Sequence, residues 1–109
     1  MARSMIWVIL GCILIPLLAQ AGPNDKLAQR LAANCAGCHG TAGVAAGGSL
    51  PALAGQPKDS IVANMLAFKS GARPATVMHQ LAKGYTDEQI EMIAGYFSGL
   101  KTSQLGGAR

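Results

Sequence analysis

Within the stretch NCAGCHG, residues 34 to 40, stand Cys35, Cys38 and His39, in a chain that has only 3 cysteines and 2 histidines. Side chains of these types at this spacing suit three kinds of chemistry. A C-x-x-C pair can be a thioredoxin-like redox disulfide, but that site belongs beside a βαβ pattern, and the chain shows no strand pattern. Soft donors can hold zinc, yet tetrahedral coordination takes four ligands. Outside the first 21 residues the donors are Cys35, Cys38, His39 and His79, two of them adjacent. The third chemistry is covalent attachment of a c-type haem, for which C-x-x-C-H is the signature. On a helix, residues three apart share a face, so both sulfurs can reach the vinyl groups along one porphyrin edge. His39, next in the chain, can then turn one imidazole nitrogen to the iron. Haem is the leading reading, with the redox disulfide as its nearest rival.

An iron held by His39 has a second axial position. Met65, Met78, Met92 and His79 are the available donors. Met65 and Met92 fall in helical patterns beside Ile61, Phe68 and Ile93, where methionine fills core space. Met78 lies in the segment before the last helix, where a chain returning across the other haem face would place it. His79 is its rival. Thioether ligation favours ferrous iron and raises the potential, whereas a second histidine lowers it.

These residues must be carried to their compartment and held there. Arg3, the apolar run from Met5 to Ala19 and the small-residue pattern Ala19-Gln20-Ala21 read as a secretory signal peptide over residues 1–21. The rival, an uncleaved anchor, is disfavoured because Pro16 interrupts a run shorter than the roughly 18 to 20 residues a spanning helix needs. A lipobox at Ile9-Leu10-Gly11-Cys12 fits poorly, since cleavage before Cys12 would leave ILIPLLA on the mature chain. Residues 22–109 then form a single monohaem domain in the periplasm, with no stable membrane insertion and with 101–109 as a frayed tail. So short a domain commonly takes stability from a bound cofactor. The formal net charge of +4 falls by one when Arg3 leaves, and no basic run forms a patch. Nucleic acid is therefore not the expected partner. The two haem carboxylates lower the charge further and leave mild steering toward an acidic partner.

Three helices are expected to position the site. The first runs from about Asp25 to Cys38, with Asn24 as N-cap and Leu27, Leu31 and Cys35 along one face. A glycine-rich loop follows from Gly40 to Gln56. The second helix covers about Lys58 to Lys69, with Ile61, Met65 and Phe68 on one side and Gly71 as a stop. Residues 72–85 read as a loop with some helical content. Thr86-Asp87-Glu88-Gln89 is a capping box, and Ile90, Ile93, Ala94 and Phe97 form the stripe of the last helix.

A helix running into CAGCH, a loop with Pro51-Ala52-Leu53-Ala54-Gly55, a methionine segment and a capped last helix together resemble the class I c-type cytochromes. The resemblance implies an all-α fold, three main helices and long loops wrapped around one covalently bound haem. It implies that the Pro51 carbonyl accepts a hydrogen bond from His39 and that Met78 is the second axial ligand. It also implies a close crossing of the first and last helices, with Gly95 permitting the approach and Tyr96 and Phe97 filling it. The run from Leu50 to Phe97, above all FKSGARPATVM and AKGYTDEQI, is similar to the cytochrome subunits of flavocytochrome c sulfide dehydrogenases. One C-x-x-C-H corresponds to the monohaem members. The implied role is electron transfer without catalysis by this chain. An FAD-bearing flavoprotein would oxidise sulfide in a heterodimer with it, and a soluble acceptor such as another cytochrome c would take electrons from its haem c. The alternatives are a free periplasmic cytochrome c serving an oxidase or a photosynthetic reaction centre, and a secreted C-x-x-C thiol protein without haem.

Overall fold

In the computed structural model, which describes residues 23–48 and 50–100, the chain is all-helical. The segment read as a signal peptide, with Cys12, and residues 101–109, read as a frayed tail, lie outside the described residues. The order is α1 (Pro23–Ala33), α2 (Ala36–His39), 3-10 turns at Thr41–Gly43 and Ala46–Gly48, α3 (Lys58–Ser70), α4 (Met78–Lys83) and α5 (Asp87–Gly99).

Three features depart from the sequence expectation. The first helix starts at Pro23, so Asn24 is inside it rather than its N-cap. Proline suits a first helical position because its fixed φ is already helical and its missing N–H is not needed there. That helix also stops at Ala33, and a tight turn in which Cys35 N donates to Ala32 O at 3.0 Å separates it from α2. Asn34 is the residue at the break; asparagine is a poor helix former because its side chain competes for local polar partners. Finally, the segment read as a partly helical loop contains α4, with Met78 as its first residue.

Other local signals act as the sequence indicates. Gly71 takes the left-handed conformation (φ 80°) and its N–H donates to Phe68 O, closing α3. At the start of α5 the capping box is complete: Gln89 N donates to Thr86 Oγ1, and Thr86 N donates to Gln89 Oε1. Lys58–Glu91 at 2.6 Å and Lys69–Asp87 at 2.7 Å then bridge α3 to α5. Exposed pairs of this kind contribute at most about 1 kcal/mol each, so packing decides the arrangement.

That packing is thin. The buried apolar residues are Ile61, Met65, Ile90, Ile93 and Phe97 together with five alanines, Ala28, Ala32, Ala54, Ala82 and Ala94. Alanine removes little apolar area from water, so such a core carries little driving force for its size. Meanwhile Val44, Leu50, Leu66, Val77 and Leu81 remain 37–54% exposed. Much of the chain's apolar surface is thus left uncovered by the chain itself.

Candidate cofactor site

Cys35 is already in helical conformation (φ −76°, ψ −22°) as the residue capping α2. His39 N donates to Cys35 O at 2.9 Å, so Cys35, Cys38 and His39 occupy one helical turn despite the break before them. Both cysteines are free, Cys38 exposed and Cys35 half-buried. Burial pushes the Cys35 thiol above its ordinary range. A thiol–disulfide centre works through a thiolate made more available by its surroundings, and the environment of Cys35 does the opposite.

His39 is buried, and its Nδ1 lies 2.9 Å from the Pro51 carbonyl oxygen. A carbonyl can only accept, so Nδ1 carries the proton and Nε2 keeps its lone pair. No buried side-chain nitrogen or oxygen among the described residues lacks a partner. With Nδ1 satisfied, Nε2 therefore faces accessible space and is free to bind a metal. A backbone partner on the far nitrogen is how proteins fix the tautomer and ring orientation of a ligating histidine.

The loop that carries Pro51 is pinned at several points. Gly40 has φ 84° and ψ 158°, a region that only glycine occupies without strain. A Cβ there would stand 2.0 Å from Val44 O. Gly43, also at positive φ, accepts from Leu53 N at 2.7 Å, and a Cβ on it would meet Ala54 N and the Phe97 ring at 2.9 Å. Gly55 N donates to Phe97 O at 2.9 Å. Position therefore passes from the end of α5 through Phe97 to the loop, from the loop to Pro51, and from Pro51 to His39. Sequence reasoning assigned no role to Gly40 or Gly43. The available signal was the glycine immediately after His39, where the helix must stop and the chain must reverse.

Phe97 thus packs on the loop as well as sharing the buried core with Ala32 of α1. Tyr96, edge-on to it at 5.2 Å, lines the cleft between α1 and α5 with Asn24, Ala28, Met92 and Gly95. A Cβ on Gly95 would meet nothing within 4 Å, so close approach does not require glycine there. Ala32 of α1 is buried in the same cluster as Ile93, Ala94 and Phe97 of α5, and Ala28 lines the cleft beside it.

On the other side of the chain, Met65 is buried among Ile61 and Ile90, and Met92 lines the α1–α5 cleft. Both fill space. Met78 is half-buried and packs against the core from the first turn of α4, with His79 half-buried beside it. Val77 and Leu81 next to Met78 are 54% and 47% exposed, and Leu50 next to Pro51 is 41% exposed. Free thiols on one turn, an oriented imidazole and uncovered apolar side chains beside both segments suit a large, flat, apolar iron group. Among the described residues no cluster of three or more His, Cys, Asp or Glu can hold a bare metal ion.

Residues 22–97 match the family model described as cytochrome C oxidase, cbb3-type, subunit III. The chain is 44% identical over 77 residues to the cytochrome subunit of sulfide dehydrogenase of Chlorobaculum tepidum, covering 71% of this chain and 69% of that protein. It is 32% identical over 96 residues to the thiosulfate dehydrogenase electron acceptor of Stutzerimonas stutzeri, covering 81% of this chain and 44% of that one. With cytochrome c4 of Pseudomonas aeruginosa it shares 34% identity over 86 residues, covering 79% of this chain and 43% of that one. The chain thus spans under half the length of the last two.

Proposed function

The chain belongs to the c-type cytochromes, the electron-transfer proteins that carry haem c, and from that premise we propose that it is the monohaem electron-transfer subunit of a periplasmic sulfide dehydrogenase. In this reading residues 1–21 are the export signal and residues 22–109 the mature domain. One haem c is attached through Cys35 and Cys38, with His39 and Met78 as its axial ligands. Bound there, haem supplies a one-electron ferric–ferrous couple.

The chain's own residues set the terms of that couple. Nδ1 of His39 donates to Pro51, which holds the ring against rotation and strengthens Nε2 as a donor. Met78 offers a neutral thioether, which favours the reduced iron and raises the potential. With both positions filled by side chains, no site stays open for substrate, so sulfide oxidation falls to a flavoprotein partner. The loop held through Gly40, Gly43 and Gly55 would keep Pro51, and through it the His39 ring, in place beside the haem.

The observation that carries the reading is the similarity to the Chlorobaculum tepidum subunit, which extends over most of both chains. Mature protein isolated gently from its native periplasm tests it. A flavin-containing chain is expected to accompany it, and added sulfide is expected to reduce the haem. Elution alone, with reduction only by an artificial donor, would overturn the subunit reading in favour of a free carrier.

A further inference from the structure

Asn34 Nδ2 donates to the hydroxyl of Tyr85 at 3.1 Å, across 51 positions of sequence. Each partner is fixed by its own surroundings. Asn34 is the turn residue between α1 and Cys35, and Cys35 N is bonded to Ala32 O at 3.0 Å. The half-buried Tyr85 packs against the core, and its N–H donates to Ala82 O at 3.2 Å at the end of α4. It immediately precedes Thr86, the cap of α5.

We propose that Asn34 and Tyr85 form a positioning pair that sets Met78 against the haem by tying the end of α4 to the cysteine segment. The inference rests on the reading of Met78 as an iron ligand. A helix of 6 residues cannot maintain its own place, since so short a segment is marginal without tertiary anchors. At 1.5 Å rise per residue α4 is only about 9 Å long, and it ends at Lys83, two residues before Tyr85, so an anchor at Tyr85 stands close in the chain to Met78. The partner chosen also matters. Asn34 adjoins Cys35, whose sulfur would be bonded to the haem itself, so the hydrogen bond references the distal ligand to the attachment point of the group it must reach. An exposed hydrogen bond adds little to global stability, but the closure of an iron–thioether bond responds to small displacements.

The test uses holoprotein made with a haem-attachment system, as wild type, Tyr85→Phe, Asn34→Ala and the double variant. Exogenous imidazole is titrated against the ferric protein while the methionine-to-iron charge-transfer band is followed, and thermal unfolding is recorded in parallel. Tyr85→Phe and Asn34→Ala should each keep the fold while imidazole displaces Met78 about threefold to tenfold more readily, the effect of one hydrogen bond. The double variant should be no worse than either single one, because both remove the same bond. Wild-type imidazole affinity in both single variants, whatever happens to their melting temperatures, overturns the proposal, as does simple additivity in the double variant. Absence of the charge-transfer band in the wild type removes the Met78 reading itself, and this inference with it; its presence with unresponsive variants removes only the pair.

Discussion

The segment from Asn34 to Gln56, which holds His39, and the segment from Gly71 to Tyr85, which holds Met78, are built on different principles. In the first, position is transmitted by backbone. Gly43 N bonds Gly40 O, Leu53 N bonds Gly43 O, and Gly55 N bonds Phe97 O, with Gly40 and Gly43 at positions where a Cβ would collide. In the second, side chains do most of the holding. Arg73 Nη1 donates to Asn64 Oδ1 at 2.7 Å while its guanidinium lies over the Phe68 ring at 4.8 Å, fixing the chain as it leaves α3. Ala82, with no exposed surface, seats α4, and Tyr85 reaches Asn34. A backbone-held ligand tolerates side-chain change and fails when the backbone cannot take its conformation. A ligand held by side chains responds to each of them in proportion.

Breaking the proximal backbone should give the largest effect. Gly40→Ala forces a Cβ into Val44 O from a glycine-only conformation, and we expect destabilisation of about 3–5 kcal/mol and low yield of haem-loaded protein. Denaturant unfolding measures it; a variant as stable as wild type would show that the loop relaxes freely. Met78→Ala comes next, at about 2 kcal/mol for a half-buried side chain. Its sharper signature is loss of the charge-transfer band and a lower potential, measured by redox titration, and an unchanged spectrum removes Met78 from the iron.

Two milder substitutions sharpen the contrast. Gly95→Ala, at a glycine whose Cβ would meet nothing, should stabilise by up to about 1 kcal/mol through helix propensity alone, so its melting temperature should rise. A fall would restore the close approach that the resemblance implied. Pro51→Ala keeps the carbonyl that His39 uses, so the potential should move little. The cost should be below about 1 kcal/mol, mainly from a looser unfolded chain. A shift in potential comparable to that of Met78→Ala would mean that the proline ring itself sets the imidazole.

The sequence by itself determined whatever rests on neighbours within a few positions. Thr86 and Gln89 announce the start of α5, Gly71 announces the end of α3, and Cys35, Cys38 and His39 share a turn because they are four residues apart at most. Such interactions carry almost no loop-closure entropy, so the residue types alone specify them. Pro51 was legible through resemblance, since nothing in its own surroundings in sequence names His39 as its partner. Only the tertiary structure decided that Gly43 lies under Phe97, that Gly95 faces open space and that Asn34 meets Tyr85. It also decided that Met78 opens a helix, because α4 is too short to declare itself and forms where packing on α3 buries its Ala82. Contacts closed across 12 to 54 positions depend on how the whole small core packs, and no local pattern encodes that sum.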